Sequence, residues 1–455
     1  MRHFLWLGFL FACQPEASSV EVQPDIVFVI ADDIGSADMP WQKGLAQMPH
    51  LTRLKNGGAE LTQFRAFPLC TPTRVALLTG ESPAKFNLLY HPLRPWDTRG
   101  LPGNAVTVAE RLKAVNYQTA LIGKWHLGHD QPEMHPNQQG FDYFFGFLTG
   151  AVDYWSHQSR DGGLDWQRNR ASVEEPGYAT RQFAQEAVAW IERAKSTPLF
   201  LCLPFSAPHI PLQAPPETIA DLDHIQDPAQ RLYAAMLEEL DQAIGEVLQA
   251  MKKRGRPTVF VFCGDNGPAR NSGAQPTGLR GAKGSTFEGG LRVPAILHWE
   301  GVIPGGVQFH QPTDVLDLPA TLLSAAGAEI PAGAEGRELF GVLQGNSQLQ
   351  PRTFFYAACS PGWITHAAIQ NQWKLVVRQK RGEDEARILL FDLSNDPIEK
   401  NNLAKENILK SETLKRELQK WLKKNPAGFN LENLPPLQLE KPTAWQAPAD
   451  WTQVK

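Results

Sequence analysis

The chain has 455 residues, of which 42% are hydrophobic and 20% are charged, and its formal net charge at pH 7 is −4. These values are ordinary for a soluble globular protein, and the length allows one large domain plus a smaller one. The slightly acidic balance and the lack of a Lys/Arg cluster argue against a nucleic-acid partner.

The N-terminal residues predict an export signal rather than part of the fold. MRHFLWLGFLFAC places an early arginine before an apolar run at residues 4–12, which is too short to span a bilayer. The tetrapeptide LFAC resembles a bacterial lipobox, in which Cys13 is lipidated after cleavage. An ordinary cleavable signal peptide is the alternative, because Phe11 is bulkier than a lipobox prefers. We therefore expect residues 1–19 to be a leader and linker, and the mature protein to be periplasmic or an outer-membrane lipoprotein.

Apolar segments that alternate with amphipathic ones predict an α/β domain at residues 20–345. Strands are indicated by DIVFVIADD, which ends in acids, by QTALIGKWHLG, which leads into a loop, and by PLFLCLPF and TVFVFCGDNG. Helices are indicated by TVAERLKAVNY, by residues 178–195 and by DPAQRLYAAMLEELDQAIGEVLQAMKKRG. Buried strands that alternate with helices predict a large, mostly parallel sheet with helices on both faces.

The pattern changes after about residue 345. TFFYAACS, THAAIQ, WKLVVRQ and RILLFDL are short strand-like segments with turn-like joins, and a charged helix follows them to about Lys424. We expect a small α+β subdomain with an antiparallel sheet at residues 346–425. Residues 426–455 are rich in proline and polar residues and predict an extended tail on the surface.

Polar residues collect where the predicted parallel strands end, and ligands of open α/β sheets bind outside those ends. The oxygen donors among them are Asp32, Asp33, Asp265 and Asn266. Carboxylate and amide oxygens without thiolates or imidazoles suit Ca²⁺ or Mg²⁺ better than zinc. Any one of these acids, taken alone, is more simply a helix cap. Two pairs from separate strands favour a metal site.

Basic side chains come from loops rich in glycine and proline, as expected of loops shaped around a ligand. Singly, each lysine or arginine among them is more simply a solvated surface charge. Together with a dication they predict a pocket for an anionic transferring group such as sulfuryl or phosphoryl. The set comprises Arg74, Lys124, His126, His209 and Lys283.

The segment CTPTRVALLTG places Cys70 beside a predicted short helix. Thr71 suits the N-cap, Pro72 the first helical position and Gly80 the residue after the end. Unpaired N–H groups at a helix start favour anions, so a nucleophile for a negatively charged ester is one interpretation of Cys70. A buried structural cysteine is the other interpretation.

The other cysteines do not form a disulfide framework, because an odd number is left once Cys13 and Cys70 are set aside. Cys202 and Cys263 lie within apolar strand-like runs, where a free cysteine behaves as a small hydrophobic residue. We expect both of them to be inert.

Several of these motifs together resemble the type I sulfatases. CTPTRVALLTG resembles their Cys-x-Pro-x-Arg signature, and the resemblance extends over nearly the whole mature chain. It includes the strand-ending Asp-Asp, GKWHLGH, PLFLCLPFSAPH, FCGDNG, LRGAKGSTFEGG and LLFDLSNDPIEKNNLA. The resemblance implies an alkaline-phosphatase-like fold and a sulfuric ester hydrolase.

The resemblance also implies roles for the residues. Cys70 would be converted by a formylglycine-generating maturation enzyme to formylglycine, whose hydrate attacks sulfur and then expels sulfate. One calcium ion would be held by that hydrate at Cys70 and by Asp32, Asp33, Asp265 and Asn266, with Mg²⁺ as the alternative ion. The implied roles of the basic residues are that Arg74 and Lys124 hold the hydrate, His126 assists its deprotonation, Lys283 pairs with sulfate, and His209 protonates the leaving group.

Within that family, GFDYFFGFLTGAVDYWSH looks most like arylsulfatase B and its glycan-desulfating relatives. A sulfated carbohydrate is therefore the expected substrate. The residues that would then shape a sugar subsite, unless they only pack a long loop, are His91, Asp153, Tyr154, Trp155 and His157. Two alternatives remain, namely a phosphodiesterase or phosphonate hydrolase of the same superfamily and a non-catalytic lipoprotein that binds sulfated glycans.

Overall fold

The computed structural model describes residues 22–194, 196–360, 362–380, 382–383, 385–424 and 441–451. The predicted leader, with the lipobox at Cys13, lies outside these residues. Within the described part of the chain, no helix is long and apolar enough to cross a membrane.

The strands form one large sheet, one small sheet and one two-stranded ribbon. In chain order they are β1 (Asp25–Ala31), β2 (Ala59–Leu61), β3 (Phe64–Arg65), β4 (Gln118–Lys124), β5 (Tyr143–Phe147), β6 (Gln167–Arg168), β7 (Ala171–Ser172), β8 (Leu199–Pro204), β9 (Thr258–Gly264), β10 (Ala295–Trp299), β11 (Val307–Phe309), β12 (Thr313–Asp314), β13 (Thr353–Ser360), β14 (Trp363–Gln370), β15 (Trp373–Lys380) and β16 (Ala386–Asp392).

The helices follow most strands of the large sheet. They are α1 (Pro49–Gly57), α2 (Cys70–Thr79), α3 (Val108–Ala114), α4 (Ala179–Arg193), α5 (Pro216–Asp221), α6 (Pro228–Arg254), α7 (Glu288–Leu291), α8 (Asp317–Ala325), α9 (Phe340–Leu343) and α10 (Ile408–Lys424). Local sequence explains the bounds of the longest one. Asp227 caps α6 by accepting a hydrogen bond from the Gln230 N–H, and Gly255 ends it in the left-handed conformation.

The large sheet has ten strands in the order β11-β2-β10-β9-β1-β8-β4-β5-β6-β7. Its centre is parallel, because β1 pairs in parallel with both β8 and β9, and β4 pairs in parallel with both β8 and β5. Two hydrophobic clusters cover its faces: Phe28 belongs to one and Val29 to the other, and both side chains are buried. The α/β fold expected from the sequence is therefore confirmed.

The C-terminal sheet is separate and antiparallel, with the order β13-β14-β15-β16, and α10 packs on β14. Both the antiparallel sheet and the charged helix ending at Lys424 agree with the sequence expectation. The boundaries proposed at residues 345 and 425 stay predictions.

A buried group of charges joins this sheet to α7 and β3 of the large domain. The Lys374 ammonium on β15 lies 2.9 Å from a carboxylate oxygen of Glu288 on α7 and 2.9 Å from one of Glu399. Glu288 also pairs with Arg65 at 2.8 Å. These four side chains are at most 1% exposed, so the pairing fixes the segment around α7, which follows the loop of Lys283.

Residues 441–451 pack against the loops of the large domain. Trp451 is 2% exposed, and Asp450 accepts a hydrogen bond from the Ser172 hydroxyl. Asp450 also forms a backbone bridge with Leu164. We call residues 441–451 the docked tail. Its C-terminal end is anchored by Trp451 and Asp450, whereas most of residues 441–449 are exposed, so the extended surface tail expected from the sequence stays a prediction.

Candidate active site

The carboxyl ends of four neighbouring parallel strands bring the predicted site residues together. Asp32 and Asp33 follow β1, Lys124 ends β4 and is followed by His126, His209 follows β8, and Asp265 and Asn266 follow β9. Loops and α2 add Lys283, Arg74 and Cys70. All ten residues predicted from the sequence therefore lie in one contiguous group, which explains why such distant motifs belong to one site.

Each carboxylate of the group is paired with a cation. The Lys124 ammonium lies 2.5 Å from Asp32 Oδ2, and the Lys283 ammonium lies 2.6 Å from Asp33 Oδ1. Arg74 donates to Asp265 Oδ2 at 3.1 Å. These side chains of opposite charge hold one another in place, because a buried charge without a partner is costly; all of them are buried except Lys283, whose side chain is 19% exposed.

Three buried oxygens of this group are not satisfied by hydrogen bonds. They are Asp32 Oδ1, Asp33 Oδ2 and Asn266 Oδ1, none of which has a hydrogen-bond partner among the described residues. Ligand atoms of Asp32, Asp33 and His209 all lie within 4.8 Å of one another. Clustered oxygen acceptors without donors are what a hard divalent cation takes, so the residues fit calcium or magnesium.

The charge balance supports the same fit. Burial alone would raise the pKa of Asp32, but the positive charges of Lys124, Arg74 and Lys283, with that of His209 in its protonated form, hold it well below its usual range. Burial and the negative charge of Asp32 instead raise the pKa of Asp265. A dication between these carboxylates would relieve their mutual repulsion.

Cys70 differs from the sequence expectation in its position on the helix. The N-cap is Leu69 rather than Thr71, so Cys70 is the first residue of α2 and Pro72 the third. Thr71 does not cap because its hydroxyl is used elsewhere: it donates to the His126 carbonyl at 3.1 Å and accepts from the Leu93 N–H at 3.0 Å. Gly80 ends the helix with a φ of 71°, as expected.

The Cys70 thiol is buried and unsuited to act as a thiolate. Burial raises its pKa, although the charges of Lys124 and Lys283 act in the opposite direction. Cys202 and Cys263 are also buried and free, and Cys359 is buried. Burial raises the pKa of Cys202 to about 12, in line with the inert role expected of it.

The two histidines have defined hydrogen bonds that assign their tautomers. His126 Nε2 donates to the Leu93 carbonyl at 2.9 Å, which leaves Nδ1, buried without a hydrogen-bond partner, as an acceptor. His209 Nδ1 donates to the Ile210 carbonyl at 2.7 Å, and its Nε2 lies 3.6 Å from Asp33 Oδ2. Burial and the charge of Lys283 lower the pKa of His209 to about 4.

Two residues of the site have unusual backbone conformations. Asp33 has a φ of 66° and His126 a φ of 58°, both in the left-handed region that non-glycine residues seldom adopt. Such conformations persist where the surrounding structure fixes them, and they concentrate at functional sites. The hydrogen bond from the Asp33 N–H to Asp265 Oδ1 at 3.2 Å is one of the contacts that fixes Asp33.

A pocket of about 420 Å³ opens over this group. Its lining includes five of the predicted residues, which we call the pocket floor: Asp33, Cys70, His126, His209 and Lys283. The other five do not line the pocket and lie beneath the floor: Asp32, Arg74, Lys124, Asp265 and Asn266. We describe them as lying behind the floor. This volume is in the range of pockets that hold small ligands.

The pocket also shows residues that the sequence did not single out. Arg94, Arg160 and Asp161 line it together with His91, which was named only as a possible sugar contact. The signal available in the sequence was weak: Arg94 lies between two prolines in HPLRPW, and Arg160 begins the turn RDGG. Neither motif carries chemistry by itself.

The aromatic segment at residues 153–157 has mostly a packing role. Asp153 accepts from the Trp155 and Ser156 N–H groups and from Gln213, while the Tyr154 hydroxyl donates to the His209 carbonyl at 3.0 Å. His157 stacks on Trp166 with ring centroids 4.0 Å apart. None of these residues lines the pocket, although Tyr154 supports the loop of His209.

The large mixed sheet, with the site at the carboxyl ends of its parallel strands, has the alkaline-phosphatase-like α/β architecture. Comparison with protein families gives the narrower class: the sulfatase model matches residues 24–328, and the model for the C-terminal part of N-sulphoglucosamine sulphohydrolase matches residues 282–427. The chain belongs to the sulfatase family, whose enzymatic class is the sulfuric ester hydrolases. The resemblance noted in the sequence is thereby confirmed.

Curated relatives are similar at the level of about one third identity. Arylsulfatase J of Mus musculus is 33% identical over 70% of this chain, and the matched part covers 55% of the length of that protein. Arylsulfatase G of Mus musculus is 33% identical over 73% of the chain and 71% of its own length. N-acetylgalactosamine-6-sulfatase of Sus scrofa is 32% identical over 73% of the chain and 68% of its own length.

Solved structures agree with the fold. Ps i-CgsB, in complex with k-i-k-neocarrahexaose, gives a TM-score of 0.82 at 31% identity and covers 89% of this chain and 94% of its own. The PsFucS1 sulfatase from Pseudoalteromonas sp. gives 0.74 at 25% identity, with 89% and 91% covered. The phosphonate monoester hydrolase SpPMH from Silicibacter pomeroyi, at 17% identity and a TM-score of 0.63, shares the fold.

Proposed function

We propose that this protein hydrolyses a sulfate ester of a carbohydrate, with Cys70 matured to formylglycine and one calcium ion in the site. The observation that carries the proposal is the position of Cys70 on the pocket floor, at the first turn of a helix and beside Lys283 and His209. The sugar in the complex of Ps i-CgsB and the name of N-acetylgalactosamine-6-sulfatase support a carbohydrate substrate.

The cation would be held by Asp32, Asp33, Asp265 and Asn266, and the matured Cys70 would complete the set. When bound, it would supply positive charge to sulfate oxygens. Formylglycine would supply a hydrated aldehyde, which offers one hydroxyl as the nucleophile and another for release of sulfate. An unmodified thiol with a raised pKa is a poor substitute for it.

The side chains of the chain itself have separable tasks. Arg74 and Lys124, behind the floor, stabilise negative charge that develops near Cys70. His126 Nδ1 is an acceptor inside the pocket and can take a proton there. Lys283 reaches the pocket and can pair with sulfate oxygens.

His209 is proposed as the general acid. Its Nδ1–H is engaged with the Ile210 carbonyl, so Nε2 is the nitrogen that can exchange a proton with a ligand. Its pKa of about 4 means that it is neutral in the free protein near pH 7. An anionic ligand beside the ring favours the charged form, so binding of the sulfate ester raises the pKa and loads Nε2 with the proton that the leaving alcohol needs.

The test is a substrate screen with protein that has been co-expressed with a formylglycine-generating activity. We expect turnover of at least one sulfated mono- or oligosaccharide and of nitrophenyl sulfate. Faster turnover of phosphate diesters or phosphonate esters than of every sulfate ester would contradict the proposal. Peptide mass spectrometry of the same sample reports whether Cys70 carries the aldehyde.

Export is part of the same proposal, because the LFAC motif predicts a lipidated Cys13 and a periplasmic or outer-membrane location. Mass spectrometry of the mature N-terminus in a bacterial host tests it. A lipid-modified cysteine at position 13 is the expected result, and an uncleaved leader would contradict it.

A further inference from the structure

Two arginines that belong to none of the motifs line the same pocket as Cys70. Arg94 is half-buried in the loop after His91, and Arg160 is exposed in the loop before Gly162. We call this pair the arginine rim. A sulfate on the pocket floor has its own cations there, so the rim is not needed to hold it.

Within the described part of the chain, neither guanidinium has a hydrogen bond or an ion pair. Arg94 Nε is buried and has no hydrogen-bond partner. Burial, and then the positive charge of Arg160, lower the pKa of Arg94, while the nearby Asp161 acts in the opposite direction. Two positive groups that repel each other at one pocket favour an anionic ligand, because the nearby carboxylates of Asp161 and Asp97 form no ion pair with either guanidinium.

The loop of Arg94 is held in place from outside the pocket. Its N–H donates to Asp97 Oδ2 at 2.8 Å, and the next residue, Pro95, accepts a hydrogen bond from His129 Nε2 at 3.0 Å. The His129 ring contacts Trp451 of the docked tail edge-on, with centroids 5.1 Å apart. The guanidinium is therefore carried on a supported loop.

The loop of Arg160 is held by the same tail. Its N–H donates to the Ala151 carbonyl at 3.3 Å, and Ser159 donates to the Gly163 carbonyl at 2.9 Å. Leu164, four residues after Arg160, donates its N–H to the Ala449 carbonyl at 3.3 Å. One segment thus fixes both loops of the arginine rim, as expected of a preorganised binding site.

We infer that the arginine rim binds a second anionic group of the substrate, either another sulfate or a carboxylate, close to the sulfate ester that is cleaved. The inference rests on the proposed function and narrows its substrate class to sulfated glycans with two neighbouring negative groups. The planar guanidinium fork matches the oxygens of a sulfate or a carboxylate, and such charge-assisted hydrogen bonds are the strong ones.

Binding and turnover together test the inference. The probes are galactose and N-acetylgalactosamine with one sulfate, the same sugars with two sulfates, and disaccharides that join the monosulfated sugar to a hexuronate. Binding is measured by calorimetry on Cys70→Ala protein and kcat/KM on matured protein. A second charge-assisted contact should raise affinity and kcat/KM by about 10-fold or more for the best doubly charged probe.

The variants Arg94→Ala and Arg160→Ala should each lose most of that preference and keep their activity on the monosulfated sugar. Arg416→Ala, which removes an exposed arginine on α10, is the matched control and should keep the preference. A preference for the second sulfate over the carboxylate, or the reverse, identifies which anion the rim takes.

The two proposals fail in different ways. Equal binding of singly and doubly charged probes overturns the inference and leaves the proposed function intact. A preference that survives in both arginine variants also overturns it. Absence of turnover together with binding that depends on the rim contradicts the proposed function alone, and absence of all binding contradicts both.

Discussion

The pocket floor and the arginine rim share one cavity but differ in how their charges are compensated. On the floor and behind it, every carboxylate is paired with a cation, and most of these side chains are fixed by strand ends that belong to the core sheet. On the rim, two guanidinium groups sit on loops and have no partner among the described residues. A site that does chemistry needs charges preorganised by the fold, whereas a site that selects a substrate leaves its charges for the ligand to neutralise.

Removal of the nucleophile should abolish the activity that depends on the pocket floor. Cys70→Ala should abolish turnover of every sulfate ester, and loss of a covalent nucleophile has cost on the order of 10⁶ in other hydrolases. The fold should survive, because the change removes only one buried sulfur. Initial rates and thermal unfolding check the two statements. Protein produced without the maturation activity is the control, and full turnover by that sample would contradict the role of formylglycine.

Removal of the metal should damage both activity and stability. Asp265→Ala should abolish turnover and lower the melting temperature, since a ligand bound only by the native state stabilises it by about 2.7 kcal/mol at a hundredfold excess over its Kd. Chelation of the parent protein should have the same effect, and added Ca²⁺ should reverse it. Metal analysis is the second readout.

Asp161→Ala is the matched control for that experiment, because this acid lines the pocket without belonging to the oxygen group. Its metal content and melting temperature should match those of the parent. Stoichiometric zinc with neither calcium nor magnesium in pure protein would show that the assignment of the cation is wrong.

Removal of His209 should reduce the activity on two kinds of substrate to different extents. A sugar alkoxide leaves poorly without a proton, so His209→Ala should lose roughly 10²–10⁴-fold on a sulfated sugar. A nitrophenolate leaves without protonation, so the loss on nitrophenyl sulfate should be much smaller. Lys283→Ala, which removes contacts to sulfate, should reduce both activities to a similar extent. Equal losses for His209→Ala would assign this residue to sulfate binding and leave the acid unidentified.

The difference between floor and rim also explains what the sequence could predict. The residues on the floor and behind it stand directly after apolar strands or within short motifs such as GKWHLGH and FCGDNG, and parallel topology forces such strand ends together. The helices α3, α4, α6 and α10 could be predicted for a related reason, because their apolar residues recur with helical spacing.

The features that could not be predicted depend on contacts between distant segments. Thr71 has the chemistry of an N-cap, but its hydroxyl is engaged by His126 and Leu93, and the helix begins two residues earlier than local preference indicates, at Cys70 instead of Pro72. The rim is another case: Arg94 and Arg160 come from two irregular loops, which are held by a tail almost 300 residues beyond Arg160 and more than 340 beyond Arg94. Sequence periodicity contains no signal for such an arrangement.

The smallest expected effect concerns the support of the rim. Gly163 has a φ of 81°, and a Cβ there would lie 1.8 Å from the Pro448 carbonyl oxygen. Gly163→Ala should therefore push the docked tail away from the loop of Arg160. We expect a loss of a few-fold in the kcat/KM preference for the doubly charged probe, with nitrophenyl sulfate turnover unchanged, since a preorganised contact weakens when its loop is released.

Gly162→Ala provides the control that separates the contact with the tail from backbone strain. Gly162 also has a positive φ, of 98°, but the nearest atom to its Cβ would be Ala447 Cβ at an ordinary 3.4 Å. Both variants therefore carry similar conformational strain, about 1–2 kcal/mol for a residue with a side chain in this region, and only Gly163→Ala also collides with the tail. Thermal unfolding measures the shared strain, and the ratio of kcat/KM values measures the rim. Equal loss of preference in both variants would mean that the tail does not position Arg160.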